Sequence, residues 1–246
     1  MNFQFKQFSV TQDKSAMKVG TDGVLLGAWA PISENTFSIL DIGTGTGIIA
    51  LMLAQRSAAG HPNLQGELAQ QIDALEIDEH AYEESVENFE NSPWSDRLFC
   101  YHAGLDEFME EPEDEYDLIV SNPPFHTEDY FSGDEKRDRA RFTESLPFED
   151  LVEAADLLLS EHGVFAVIIP FSAEEKFVAL ANDFELYPMK ITRVKGKANT
   201  EIKRSLLAFS RNKTENFPID ELIIEIERHN YTPEYIALTK DFYLKM

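Results

Sequence analysis

The stretch Ser38-Ile39-Leu40-Asp41-Ile42-Gly43-Thr44-Gly45-Thr46-Gly47 constrains the fold more than any other part of the chain. A mostly apolar run of strand length meets three glycines at alternate positions, and Ile48 to Gln55 then continues with helix formers that are apolar all round. A buried strand turning sharply into a buried helix belongs to an α/β layer structure. Glycine lets the backbone approach a ligand closely, and the helix start offers unpaired N–H groups, so the turn suits a nucleotide-type guest. Spacing excludes two common glycine loops. A dinucleotide fingerprint read from Gly43 needs glycine where Ile48 stands, and no Gly-Lys-Ser/Thr is present for a P-loop.

The rest of the chain extends the alternation. Strands are expected at Gln71–Ile77, Arg97–His102, Tyr116–Ser121 and Val164–Ile169, with an acidic helix from Glu79 to Asn91. A helix from Phe148 to Ser160, closed by Gly163, and another from Ala173 to Asn182 follow. Two final strands, Leu186–Lys195 and Lys203–Arg211, are joined by a short basic loop and can pair antiparallel. The expectation is a mostly parallel seven-stranded sheet with helices on both faces and an antiparallel last strand. It spans 1–246 as one unit, with an N-terminal extension over 1–36 and a substrate lid over 127–146. Ligands on such sheets bind beyond the carboxyl ends of the strands.

The D-x-G-x-G-x-G loop resembles motif I of class I S-adenosylmethionine-dependent methyltransferases, which have a Rossmann-like α/β fold. The resemblance implies S-adenosylmethionine as cofactor, with contacts from Asp41, Gly43, Thr44, Gly45 and Gly47. It also implies an acid at the end of the second strand. Ala74-Leu75-Glu76-Ile77-Asp78 supplies Glu76, whose carboxylate has lone pairs enough to accept from both ribose hydroxyls.

Asp117-Leu118-Ile119-Val120-Ser121-Asn122-Pro123-Pro124-Phe125 carries the chemistry. Two prolines end the strand, fix the backbone and remove two N–H donors, leaving carbonyl acceptors, the Asn122 amide and an aromatic ring. An amino group on a planar π-system matches this set. Its hydrogens go to the Asn122 side-chain oxygen and a proline carbonyl, while Phe125 stacks on the ring. Asn122, Pro123, Pro124 and Phe125 are therefore the expected catalytic residues, and Asn122 also borders the cofactor. The motif resembles that of amino methyltransferases acting on adenine N6, guanine N2 or protein glutamine. A catalytically silent cofactor-binding scaffold has no need of it.

Gln7-Phe8 and Met17-Lys18-Val19-Gly20-Thr21-Asp22-Gly23-Val24-Leu25-Leu26-Gly27-Ala28-Trp29 form a glycine-punctuated segment able to pack on the sheet or close over the cofactor. Its wording resembles the bacterial tRNA(Val) adenine-37 N6-methyltransferase family. The likeness continues through Asn122 to Phe125, Ala140-Arg141-Phe142-Thr143-Glu144 and the tail from Tyr235 to Leu244. It implies methyl transfer to N6 of the adenine beside the anticodon, with tRNA as partner. Members often carry an acid after the third strand for the cofactor adenine, where this chain has Gly104. Either Asp106 substitutes, or backbone and apolar contacts such as Ala103 and Leu105 serve.

A polyanionic substrate sits uneasily with 21 Lys and Arg against 45 Asp and Glu, a net charge of −24. The charge is unevenly spread. Residues 61–135 hold one basic residue, Arg97, against 22 acids, while residues 190–213 hold eight basic residues against Glu201 alone. Two basic groups are candidate RNA contacts or solvated loops: Lys136, Arg137, Arg139 and Arg141, and the hairpin tip with Lys195 and Lys197. His126 could touch substrate or cap a turn. Cys100 is the one cysteine, so no intramolecular disulfide forms, and with no partner for metal or nucleophilic chemistry it reads as core. No metal is expected. Met1 to Lys6 shows no secretory signal and no apolar run reaches membrane-spanning length, so a cytoplasmic monomer without membrane contact is expected.

Overall fold

The computed structural model describes residues 2–15, 17–60, 70–110, 115–124 and 146–246. A hairpin of β1 (Asn2–Gln4) and β2 (Ser9–Thr11) leads into α1 (Thr21–Trp29). Alternation then begins with β3 (Ser38–Ile42), α2 (Ile48–Gly60), β4 (Gln71–Glu76) and α3 (Glu79–Glu90). It continues through β5 (Leu98–His102), α4 (Leu105–Glu110), β6 (Tyr116–Ser121), α5 (Phe148–Leu158) and β7 (Leu159–Pro170). After a 3-10 turn at Phe171–Ala173 come α6 (Glu174–Asp183), β8 (Tyr187–Lys197), β9 (Ile202–Ser210), β10 (Ile219–Glu227), β11 (Asn230–Tyr231) and α7 (Pro233–Thr239).

The main sheet runs β11-β10-β8-β9-β7-β6-β3-β4-β5. The seven expected strands are its contiguous stretch from β8 to β5, and β9 is antiparallel to both neighbours. The sheet nevertheless has nine strands, not seven. β10 adds in parallel to β8 and carries β11 at its edge. Its sequence, Ile219-Asp220-Glu221-Leu222-Ile223-Ile224-Glu225-Ile226-Glu227, looks too acidic for a sheet strand. Its partner is basic, however: Glu221 lies opposite Arg193 and Glu225 opposite Lys197. Opposite charges on paired strands stabilise the pairing.

A second correction concerns Gly163. The helix stops at Leu158, and Gly163 lies inside β7, not at a helix end. A Cβ there would stand 2.8 Å from the Tyr116 carbonyl and from Leu159, at the register shift between β6 and β7. Close backbone approach, not a cap, is what needs glycine here.

The central strands are buried on both sides, as parallel strands covered by helices must be. One core takes Leu118, Val120, Ala166 and Ile168 against α1 and α2. The other takes Ile119, Phe165, Val167 and Ile169 against α5 and α6. Alternate residues serve opposite faces, the period-two signature of a strand. The expected N-terminal extension packs on the first core through Phe5, Phe8 and Val10, all buried.

Candidate active site

The glycine loop leaves β3 with Gly43, Gly45 and Gly47 at φ of +71°, +59° and +79°. It is pinned from below. Gly43 N–H and Thr44 N–H both donate to the Leu75 carbonyl at 2.9 Å, and Gly45 N–H donates to Glu76 Oε2 at 2.8 Å. A Cβ on Gly43 or Gly45 would meet nothing within 4 Å, so this side of the loop faces open space. At Gly47 a Cβ would stand 2.5 Å from Phe89 Cε1. Gly47, Asp41 and Thr44 are buried, and they shape the loop from within instead of lining its open side. Thr44 Oγ1 donates to Asp41 Oδ2 at 2.6 Å, and Ala50 N–H reaches the same oxygen at 3.2 Å. Burial pushes the Asp41 carboxyl up to about 7 against these bonds.

Glu76 ends β4 beside the loop, its carboxylate bridging Gly45 N–H and Asp78 N–H at 2.8 and 2.9 Å. Burial raises its pKa despite the hydrogen bonds it accepts. Ile77, the next residue, is 57% exposed, an isolated apolar side chain at the loop's open side that the sequence reading passed over. A Cβ on Gly104 would lie 2.6 Å from Asp106 Oδ1 and 3.7 Å from Ile77 Cδ1. Glu76, Ile77 and Asp106 thus follow one another along the carboxyl ends of β4 and β5.

Asn122 and Pro124 are half-buried and Pro123 is buried at the end of β6. Ser121 is opposite Ile42 in the ladder, which sets Asn122 beside Gly43. Ser121 Oγ fixes this end by donating to the Ile42 carbonyl at 2.9 Å. The Asn122 Oδ1 atom is buried with no hydrogen-bond partner among the described residues, and so is Asp41 Oδ1. An unmatched buried acceptor costs on the order of 1–3 kcal/mol, so half-buried Asn122 at the strand end marks a place where a ligand's donor completes the structure. Phe125, His126, Lys136, Arg137, Arg139, Arg141 and the expected lid, apart from Leu146, lie outside the described residues.

The helix after β4 contributes residues that sequence reasoning missed. Asn88 Nδ2 donates to the carbonyls of Thr46 and Thr11 at 2.9 Å, and its Oδ1 accepts from Thr11 N–H at 2.8 Å. One side chain thereby ties β2 to the glycine loop. Glu84, also buried, accepts from the N–H groups of Asp13, Lys14 and Ser15 at 2.5, 2.9 and 2.9 Å. A polar residue on the buried face of a helix was the available signal.

Of the expected RNA contacts at the hairpin, Lys195 pairs with β10. Lys195 Nζ lies 2.6 Å from Glu221, with only 20% of its side chain exposed. Lys197 stays at the hairpin tip, where its backbone closes a turn with Thr200. Cys100 is half-buried, accepts a hydrogen bond from Ser85, and has its thiol pushed up by burial to about 12, which makes it unreactive.

Residues 24–185 match the family model described as methyltransferase small domain. A tRNA1(Val) (adenine(37)-N6)-methyltransferase of Flavobacterium johnsoniae is 73% identical over 99% of this chain and 100% of its own length. The chain belongs to the tRNA1(Val) (adenine(37)-N6)-methyltransferase family. The relative of that name from Flavobacterium psychrophilum is 70% identical, and that from Pectobacterium carotovorum 42%, each over 99% of this chain. They cover 100% and 94% of those relatives.

Solved structures place this family member in the class I methyltransferase fold. A predicted O-methyltransferase from Agrobacterium tumefaciens aligns with TM-score 0.65 at 18% identity, covering 90% of this chain and 96% of that one. A geranyl diphosphate C-methyltransferase from Streptomyces coelicolor aligns with TM-score 0.52 at 11% identity, covering 77% and 76%. These neighbours show the fold alone, and the acceptor atom is decided by the site. The family's cofactor is S-adenosylmethionine, and the residues present fit it: an open glycine cradle with a carboxylate beside it. No described helix is long and apolar enough to cross a membrane, and no metal-binding cluster occurs among the described residues.

Proposed function

We propose that this chain transfers the methyl group of S-adenosylmethionine to N6 of adenine 37 in tRNA1(Val), acting in the cytoplasm as a single methyltransferase unit. The observation that carries the acceptor chemistry is the buried, unpartnered Asn122 Oδ1. It calls for an N–H donor, and an exocyclic amine supplies one while keeping its remaining hydrogen for a neighbouring carbonyl. When bound, S-adenosylmethionine supplies an electrophilic methyl group on sulfur. Glu76 would hold the ribose hydroxyls, Ile77 would cover the adenine, and Asp106 would accept from its amino group in place of an acid at position 104. Gly43 and Gly45 leave room for the remainder. Asn122 and the Pro123 carbonyl orient the acceptor nitrogen, Phe125 stacks on its ring, and proximity does most of the work. No strong base is needed, since the amine's proton leaves to water once the nitrogen carries its new substituent.

The test is Asn122→Ala. Losing one preorganised polar contact at the reacting nitrogen should lower kcat by about 100-fold or more while calorimetric affinity for S-adenosylmethionine stays nearly unchanged. Unchanged kcat, or lost cofactor affinity, would contradict the assigned role.

A further inference from the structure

β7 is fully buried from Phe165 to Ile169, yet the residue just past its end, Phe171, is 36% exposed. Its position is set by the sheet. Ser121 pairs with Val167, so the end of β7 lies alongside Asn122-Pro123-Pro124, on the side away from the glycine loop. The ring is held from behind. The Arg193 guanidinium carbon stands 5.4 Å from its centroid. That guanidinium is in turn clamped by Glu174, with Nε at 3.1 Å and Nη2 at 2.7 Å from Oε1. Ser205, fully buried, donates to the same carboxylate. A planar two-point ion pair of this kind has little freedom. The exposed ring is therefore fixed in place before anything binds.

We propose that Phe171 is a stacking platform for the nucleobase next to the target adenine in the RNA strand. This rests on the RNA reading above and deepens it. Three features favour RNA over an apolar protein partner. The ring borders the site of the acceptor base. Every nucleobase offers a π-face to a ring backed by a cation. The 69%-exposed Lys203, two residues before Ser205 on β9, adds positive charge suited to a phosphate backbone, while Arg204, opposite Pro170, is paired with Asp22 at 2.7 Å.

The experiment uses the full chain, S-adenosylmethionine and an unmodified anticodon-arm RNA, with Phe171→Ala, Phe171→Leu and Phe171→Trp variants. Alanine should raise KM for RNA roughly ten-fold, within the range one base–aromatic stack is worth, leaving kcat and cofactor affinity nearly unchanged. Leucine, apolar but not planar, should behave like alanine, and tryptophan should restore KM and be quenched by RNA. An abasic substitution on one side of the target should raise KM in the wild type and add nothing in Phe171→Ala. The platform is overturned if alanine leaves KM unchanged, if leucine restores it, or if abasic and alanine effects are independent on both sides. If the wild type methylates no RNA, the broader reading fails instead.

Discussion

At the residue scale, the glycines of one loop do different things, and the difference is testable. Gly45 is left-handed and open, so alanine there meets no neighbour and costs only the backbone strain of about 1–2 kcal/mol. Gly47 is left-handed and packed on Phe89, so alanine adds overlap to strain, roughly 3 kcal/mol in all. Urea unfolding should therefore show Gly47→Ala well below Gly45→Ala in stability. Calorimetry should show Gly45→Ala binding S-adenosylmethionine more weakly than wild type, because its methyl occupies the open side. Equal stabilities, or undiminished affinity in Gly45→Ala, would refute this division. The spacing of the loop was readable from sequence, as were Glu76 at a strand end and Asn122 before two prolines. Which glycines border open space was not, because that depends on where Phe89 of a later helix packs.

At the element scale, α3 works as a clip. Its Asp78 N-cap accepts from Ala81 N–H at 2.8 Å, and its buried side carries Glu84 and Asn88 to the N-terminal segment and the glycine loop. Burial alone would raise the Glu84 pKa, but the N–H groups of Lys14, Ser15 and Asp13 outweigh it and hold the carboxyl below its usual range. A depressed folded pKa contributes stability above the unfolded pKa and loses it as pH falls through the folded value. Residues 13–15 should accordingly stay protected from hydrogen exchange at neutral pH and lose protection only as pH falls below the ordinary glutamate range. Glu84→Gln should lower stability by about 2 kcal/mol at pH 7 and flatten that acid dependence. Protection in the variant matching wild type at both pH values would refute the clip. Strands with apolar runs were legible in the sequence because both faces are buried. β10 was not, since its acids pair with cations contributed by β8, and Gly163 was misread because a helix end and a tight strand contact both require glycine.

At the scale of the whole molecule, the distribution of charge matters more than its sum of −24. Arg97, the one cation between residues 61 and 135, is buried and donates to the Ala54 carbonyl, Ser57 Oγ and the Gln70 carbonyl. The described surface of that block therefore presents acids to any approaching RNA. On the β8–β9 side, Lys195, Arg193 and Arg211 are paired with Glu221, Glu174 and Asp156. Arg204 is likewise paired with Asp22 at 2.7 Å, and Lys203 lies 3.7 Å from Glu201, so affinity should rest on stacking and shape with only a shallow salt dependence. The measurement that tests the central claim most directly is product identity. The purified protein is incubated with methyl-labelled S-adenosylmethionine and tRNA lacking the modification, and the tRNA is then digested to nucleosides and mapped. Label is expected in N6-methyladenosine at position 37 of tRNA1(Val). Label in N2-methylguanosine or in methylglutamine of an added protein substrate, or none in tRNA, would contradict it.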